Sequence, residues 1–320
     1  MKVLITGATG LVGKAIVALC LENQIAVNYL STSKKKIVSH PNYRGFLWDP
    51  MENKIDQDCF EGVTAIINLA GSSISKRWTA RNKRRILLSR TQSLQTLYQG
   101  LEKVGAGNIT SFVTASAIGI YPDSVDHYYG ESYKGVDQSF LGEVVQLWER
   151  EADTFDKMGL PVAKIRTGLV LSEKGGALPK IAKPIKNYIG SAFGSGAQWQ
   201  SWIHIQDLAR IYLFAVEHKL QGAYNAVAPN PVTNAKLTKR ISEVLERPLW
   251  MPNIPRFVAR LILGEMSYLL YSSQRVSCKK LEEEGYNFDF SNVCTALKEL
   301  YLQKNPKKSS VETEYGKEFV

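Results

Sequence analysis

Gly7, Gly10 and Gly13 recur at every third position straight after the apolar run Lys2-Val3-Leu4-Ile5-Thr6, and Leu11-Val12 then opens a helical pattern. A strand running into such a turn brings backbone N–H groups to a helix N-terminus, where a diphosphate binds. Gly7 permits the tight turn, Gly10 lets the main chain approach the phosphates, and Gly13 lets the helix pack close to the strand. Thr9, Leu11 and Val12 complete the loop that would touch the ligand. The spacing differs slightly from the dehydrogenase fingerprint, in which a single residue separates the first two glycines. The expectation is a dinucleotide at this end of the chain.

The end of the second predicted strand speaks to which dinucleotide. NAD sites usually place an acid there, about 20 residues beyond the glycines, to hold the ribose hydroxyls. This chain reads Leu30-Ser31-Thr32-Ser33-Lys34, with no acid. The hydroxyls of Ser31 and Thr32 and a following ammonium suit a 2′-phosphate, so NADP is expected over NAD. Asp49 ends the third strand, where its carboxylate either accepts from an adenine amino group or caps a turn with Pro50. Further on, Asn68-Leu69-Ala70-Gly71 ends the fourth strand. Its small residues let the backbone of Leu69, Ala70 and Gly71 lie against the adenosine side.

These residues need a frame, and apolar runs alternating with longer periodic segments predict parallel strands joined by crossover helices. Strands are expected at Lys2–Thr6, Ala26–Ser31, Gly45–Trp48, Ala65–Leu69, Ser111–Ser116, Val162–Thr167 and around Tyr224–Val227. Helices are expected near Leu11–Glu22, Ala80–Val104 and Phe140–Met158, with another starting near His204. Right-handed crossovers then give a doubly wound α/β sheet whose ligand crevice lies at the strands' C-terminal ends. Ser172–Gly196, rich in glycine, lysine and proline, reads as an excursion over that crevice. Pro229-Asn230-Pro231 marks a boundary, dividing a nucleotide-binding domain (1–228) from a small, mostly helical C-terminal one (229–304). Helices are expected there near Asn234–Leu245, Pro255–Leu263, Gln274–Glu284 and Asn292–Leu302, followed by a disordered tail, 305–320.

Composition narrows the class. With 320 residues, 44% of them hydrophobic, the chain can bury a full core and carry a second, smaller domain. Its four cysteines are scattered, suggesting neither a disulfide framework nor a metal site, and a reducing compartment. No apolar run reaches the ~20 residues of a membrane helix, and the amino terminus does not read as a signal peptide. A cytoplasmic protein without a membrane partner is expected. The net charge of +10 concentrates between Lys76 and Arg90, a stretch without an acid. Nucleic acid is one reading of such a run, but no nucleic-acid module accompanies it. A phosphorylated cofactor together with a solvated helix face accounts for the charge more simply.

Thr6-Gly7-x-x-Gly10-x-x-Gly13, Asn68-Leu69-Ala70-Gly71, Thr114-Ala115-Ser116 with Tyr121, and Arg166-Thr167-Gly168-Leu169-Val170-Leu171 together resemble the extended, epimerase/dehydratase-like branch of the short-chain dehydrogenase/reductases. The string Gly194–Leu208, Asn225-x-Val227-Ala228-Pro229 and the closing helices are similar to an atypical subgroup, the YfcH-like proteins, which carries a C-terminal domain of unknown function. The resemblance spans residues 1–302. It implies a Rossmann-type NADP-binding fold, with Arg90 and Val170 facing the cofactor, but no particular substrate.

Typical members pair a Ser or Thr with a Tyr-x-x-x-Lys helix, whose lysine lowers the tyrosine pKa. Aligned on Trp148-Glu149, the tyrosine slot here is Phe140 and the lysine slot Val144, and neither exchanges a proton. Ser116 is then the candidate substrate-facing hydroxyl, or else a strand-end hydrogen bond. Tyr121 is an alternative proton donor or a buried loop residue, and Glu131 another acid/base candidate. Arg166 is either a structural ion pair or a substrate contact. Gln198 and Trp202 are substrate-side candidates, with Trp199 and His204 nearby and Asp207 positioning the helix behind them. Two functions remain: an NADP-dependent oxidoreductase or epimerase acting on a small polar, sugar-like substrate, and a non-catalytic NADP(H)-binding sensor or scaffold.

Overall fold

The computed structural model describes residues 1–302, so the tail expected from 305 onward lies outside the described residues. Seven parallel strands make the main sheet: β1 (Lys2–Thr6), β2 (Ala26–Ser31), β3 (Tyr43–Asp49), β4 (Ala65–Asn68), β5 (Ser111–Ala117), β6 (Val162–Thr167) and β7 (Gly222–Ala226). Their spatial order is β7-β6-β5-β4-β1-β2-β3, with Ser39–His40 added antiparallel at the β3 edge. The order reverses between β1 and β4, which opens a crevice above the C-terminal ends of these two strands.

Val3, Leu4 and Ile5 of β1 are all fully buried, because helices cover both faces of the sheet. On one face α1 (Leu11–Glu22) and α5 (Ile205–Glu217) bury Ile16, Val17, Ile211 and Tyr212 against Val3, Ile5 and Val27. On the other, α2 (Ala80–Val104) and α3 (Phe140–Asp153) bury Leu94, Leu97, Trp148 and Ala152 against Leu4, Ile66 and Phe112.

Three segments differ from the sequence expectation. The expected helix to Met158 ends at Asp153 and tightens into a 3₁₀ turn over Thr154–Met158. The excursion after Leu171 contains a helix, α4 (Leu178–Lys186). It tolerates Pro179 in its first turn, and Leu178, Ala182 and Ile185 pack on Trp202 and Leu237. The helix expected over Gln274–Glu284 is interrupted: Arg275-Val276 pairs in parallel with Tyr128-Tyr129, and the chain turns helical only later. Burial of Val276 against Tyr121 and Tyr129 outweighs the local helical pattern there.

Beyond β7 lie α6 (Asn234–Val244), α7 (Arg256–Leu263), α8 (Tyr268–Tyr271), α9 (Lys279–Glu283) and α10 (Val293–Leu302). Leu237, Ile241, Ala296 and Leu297 share one apolar cluster with α4 and Trp202, so this helical part packs on the excursion and β-sheet edge without a separate core.

Candidate functional site

The loop between β1 and α1 is built around close approach. Gly7 has φ +69°, and a Cβ there would meet the Leu69 carbonyl oxygen at 2.9 Å. A Cβ on Gly13 would overlap the Gly7 carbonyl, so both positions exclude a side chain. The Gly10 N–H donates to Gly7 O (2.9 Å), closing the turn. No side chain caps the N-terminus of α1 and its first turn carries no acid, which leaves donors and partial positive charge for an anion. Leu11 reaches the excursion at Gly175 and Gly176.

A row of polar side chains fixes the neighbouring loop. Thr6 Oγ1 donates to Asn68 Oδ1 (2.7 Å) and accepts from the N–H groups of Leu69 and Ala70, both 3.0 Å. Asn68 Nδ2 donates to Thr114 Oγ1 (3.1 Å), linking β1, β4 and β5 across adjacent registers. The sequence reading gave Thr6 and Thr114 no role. Their signal was a hydroxyl within an apolar run, Thr6 closing Val3-Leu4-Ile5 and Thr114 standing between Val113 and Ala115.

Arg90, on α2, enters the same area. Its Nη1 donates to Ser72 O (3.1 Å) and Ile86 O (2.9 Å), and its guanidinium lies over the Trp148 ring and close to Gly71. Among the described residues no carboxylate pairs with it, and burial pulls its pKa down to about 10. Across the crevice, Ser31 Oγ accepts from Ser33 N–H (3.2 Å), Thr32 is exposed, and the lysines 34–36 form an exposed 3₁₀ turn with no acid. Asp49 spends its carboxylate on a turn, accepting from Met51 N–H (3.0 Å). Val170 is half-buried against the main core.

The C-terminal ends of β5, β6 and β7 carry a different cluster. Ser116, Arg166 and Asn225 occupy one register row, Arg166 in the middle. Arg166 grips Glu149 of α3 with two hydrogen bonds of 2.8 Å, and Ser116 Oγ donates to the same carboxylate at 2.6 Å. Arg166 Nη1 also donates to Tyr121 OH (2.9 Å), which donates to Asn225 Oδ1 (2.8 Å). Glu131 accepts from the Asn225 N–H (2.8 Å). Arg166 outweighs burial and holds the Glu149 carboxyl below its ordinary range, while the arginine itself is shifted up. Burial raises Tyr121 despite the adjacent arginine. Glu149 and Asn225, present in the sequence motifs, carried no chemical role there.

Ser116 and Tyr121 are therefore both buried, with their protons directed at protein acceptors. Phe140 and Val144 sit in an apolar cluster with Trp78, Ile86 and Met266, and Phe140 meets the Trp78 ring edge-on at 5.3 Å. The expectation that Trp202 faces the crevice is corrected: it is wholly buried, its Nε1 donating to Asn230 O (2.9 Å). His204 is buried as well, its Nδ1 capping α5 and its Nε2 reaching Glu299 (3.0 Å), so it ties α5 to α10. Asp207 holds the 286–290 segment through the N–H groups of Asp289 and Phe290, both 3.0 Å. Gln198 is buried too, at a cavity wall. It lines a polar cavity of ≈350 Å³ with Asp123, Ser124, Asp126, Arg256 and Tyr271, while its Nε2 donates to two backbone carbonyls.

A doubly wound parallel sheet with a glycine-built turn at its switch point defines a dinucleotide-binding α/β protein. Residues 3–227 match the model of the NAD dependent epimerase/dehydratase family, and 254–300 that of a domain of unknown function, DUF1731. The chain belongs to that NAD-dependent epimerase/dehydratase family. An epimerase family protein of Staphylococcus aureus is 36% identical over 304 residues, covering 93% of this chain and 98% of the relative. Human epimerase family protein SDR39U1 (isoform 2), solved with NADPH, superposes with a TM-score of 0.81 at 27% identity, over 95% of this chain and 100% of that one. A nucleoside-diphosphate sugar epimerase from Corynebacterium glutamicum gives a TM-score of 0.75 at 31% identity, over 94% of this chain but 58% of that one.

The residues present fit a dinucleotide. Gly7 and Gly13 leave a cradle that a Cβ would fill, and Arg90 is a half-buried cation near it whose partners are two carbonyls and the Trp148 face. Among the described residues no helix is long and apolar enough to cross a membrane, and no three acidic, histidine or cysteine side chains are grouped to hold a metal.

Proposed function

We propose that the chain is an NADP(H)-dependent oxidoreductase or epimerase of the extended short-chain type, cytoplasmic, acting on a small polar, sugar-like substrate. In this reading residues 1–228 hold the dinucleotide and 229–304 the substrate side. The observation that carries it is the half-buried Arg90 without a carboxylate partner, beside a loop that excludes side chains. A partly desolvated cation with that environment is stabilised by a bound anion.

The amides of Gly7 to Gly13, with Thr9, Leu11 and Val12, bind the diphosphate, and Arg90 adds its charge. Ser31 and Thr32, with the adjacent lysines, take the 2′-phosphate. Leu69, Ala70, Gly71 and Val170 bound the adenosine and nicotinamide sides, and Asp49 stays at the adenine edge as a turn cap. When bound, the nicotinamide supplies a hydride donor or acceptor. Ser116 donates to Glu149 as it stands, and turning that hydroxyl toward a substrate carbonyl would supply the hydrogen bond that polarises it. Tyr121, held between Arg166 and Asn225, is the proton reserve behind it. Gln198 contacts substrate from the cavity wall, where Asp123, Asp126 and Arg256 suit several hydroxyl groups.

The second reading, a non-catalytic NADP(H)-binding sensor, draws on one observation: both candidate hydroxyls are already engaged in the protein. Two measurements separate the readings. Calorimetry should show NADPH binding tighter than NADH, and Lys34→Glu should narrow that difference; no heat with either nucleotide defeats both. NADPH consumption against a panel of carbonyl compounds should then be lost in Ser116→Ala and reduced in Tyr121→Phe. Tight NADPH binding with silence across the panel favours the sensor.

A further inference from the structure

Helix α7 turns its apolar face outward. Phe257, Leu261 and Ile262 are 74%, 81% and 67% exposed, and only Ala259 of the helix is buried. Phe257 and Leu261, four apart, lie one above the other, and Arg256 and Arg260 form the adjoining row. The surface continues beyond the helix. Trp250 is 66% exposed, and the strip 188–194, with exposed Tyr188 and Ile189, is tied alongside. The ties are Ser191 Oγ to Pro252 O (2.6 Å), Ile254 N–H to Ala192 O (2.9 Å) and Gly194 N–H to Ile254 O (2.9 Å). An apolar surface of this extent marks a contact.

Its surroundings say with what. No acid occurs from Arg247 to Gly264, nor from Lys76 to Arg90. The second stretch meets the end of α7: Arg77 lies beside Gly264, and Lys83 pairs with Glu265. Lys76, Arg77, Arg81, Arg84 and Arg85 remain exposed. Exposed tryptophan, phenylalanine and aliphatic side chains rimmed by arginine and lysine are the composition of a helix that lies in a bilayer interface.

We propose that α7 and this basic rim dock the protein on an anionic bilayer surface, the apolar side chains entering the headgroup boundary and the cations facing lipid phosphates. A second copy fits less well, because a two-fold contact through this patch would bring together two surfaces rimmed by arginine and without an acid from 247 to 264. Nucleic acid would satisfy the cations but would leave Leu261 and Ile262 in water. The absence of a spanning helix does not bear on interfacial docking. The proposal goes beyond the cofactor reading and does not depend on it. Arg256 also lines the polar cavity, so docking brings that cavity to the lipid surface.

The test is co-sedimentation of the full chain with vesicles of phosphatidylcholine alone, and with seven parts phosphatidylcholine to three of phosphatidylglycerol. The expected result is binding to the acidic vesicles that weakens as salt is raised, with little binding to neutral ones. Phe257→Ser/Leu261→Ser/Ile262→Ser should lower partitioning at least tenfold. Arg77→Gln/Arg81→Gln/Arg84→Gln should lower it by about fivefold per charge removed. All these positions are exposed, and unchanged melting curves verify the fold. Equal binding to both vesicle types, no binding to either, or undiminished binding by the triple serine variant overturns the proposal. So does a dimer in sedimentation equilibrium that the serine variant abolishes.

Discussion

Two arginines withdrawn from the surface, Arg166 buried and Arg90 half-buried, flank the crevice, and they live by opposite rules. Arg166 has a bidentate carboxylate, a tyrosine oxygen and a ring beneath it, and its charge is stabilised where it stands. Arg90 is half-buried, with two carbonyls and a tryptophan face for partners, and its charge is penalised. The first arrangement is complete within the protein and holds three strand ends and a helix together. The second is incomplete, as expected of a group whose partner arrives from solution. Charge compensation, more than burial, separates a scaffold arginine from a ligand arginine.

The sharpest break of that contrast is at Arg166. Arg166→Leu leaves Glu149 buried and unpaired, which costs about 3–5 kcal/mol of unfolding free energy. Denaturant titration of the purified protein measures it, and adding Glu149→Leu to the variant should restore most of the loss. A small effect from the single variant would mean that the carboxylate finds water instead. Arg90→Met should do the reverse. Unfolding free energy should move by no more than about 1 kcal/mol, since no buried carboxylate is abandoned. NADPH binding should weaken by about 1.5–3 kcal/mol, roughly tenfold to a hundredfold in Kd. A stability loss as large as that of Arg166→Leu would remove the distinction.

The unequal legibility of the two regions has a physical source. The nucleotide end is built from local sequence, a strand, three glycines and a helix, so its spacing alone located the turn that the structure closes with Gly10 N–H on Gly7 O. The Arg166 cluster draws on β5, α3, β6 and β7, and its members stand far apart in the chain. A signal existed even so. Glu149 falls between Val145 and Ala152 on the buried side of α3, and Arg166 stands in an apolar strand, so each breaks a hydrophobic period. Two such breaks of opposite charge call for each other. Trp202 differs for another reason: the whole run from Ser201 to His204 is buried, Ile203 in the main core and the Trp202 ring beside Leu171 and Ala228, so the aromatic there packs on both sides. Proline content likewise masked α4, whose Leu178, Ala182 and Ile185 kept helical spacing throughout.

A subtler difference between the regions is how each responds to acid. Glu149 titrates below its ordinary 4.5 when folded, so its contribution is present above that value and is lost as pH falls through the lower folded one. His204 behaves in parallel for another reason. Burial holds its pKa below 6.5 despite Glu299, so the folded state prefers the neutral ring, and the unfolded chain binds the extra proton first. Its contribution is fully present above about 6.5 and is lost as pH falls from there toward the folded value. Unfolding free energy should accordingly decline between neutrality and mild acid by at most about 1.4 kcal/mol per pH unit from this residue. His204→Gln should flatten that slope, while Arg166→Leu/Glu149→Leu should leave it intact and remove only the loss at lower pH. The nucleotide end offers neither group, so NADPH affinity in the same range should follow the cofactor's own phosphate and not this histidine. A wild-type slope that survives in His204→Gln would place the acid-sensitive group elsewhere.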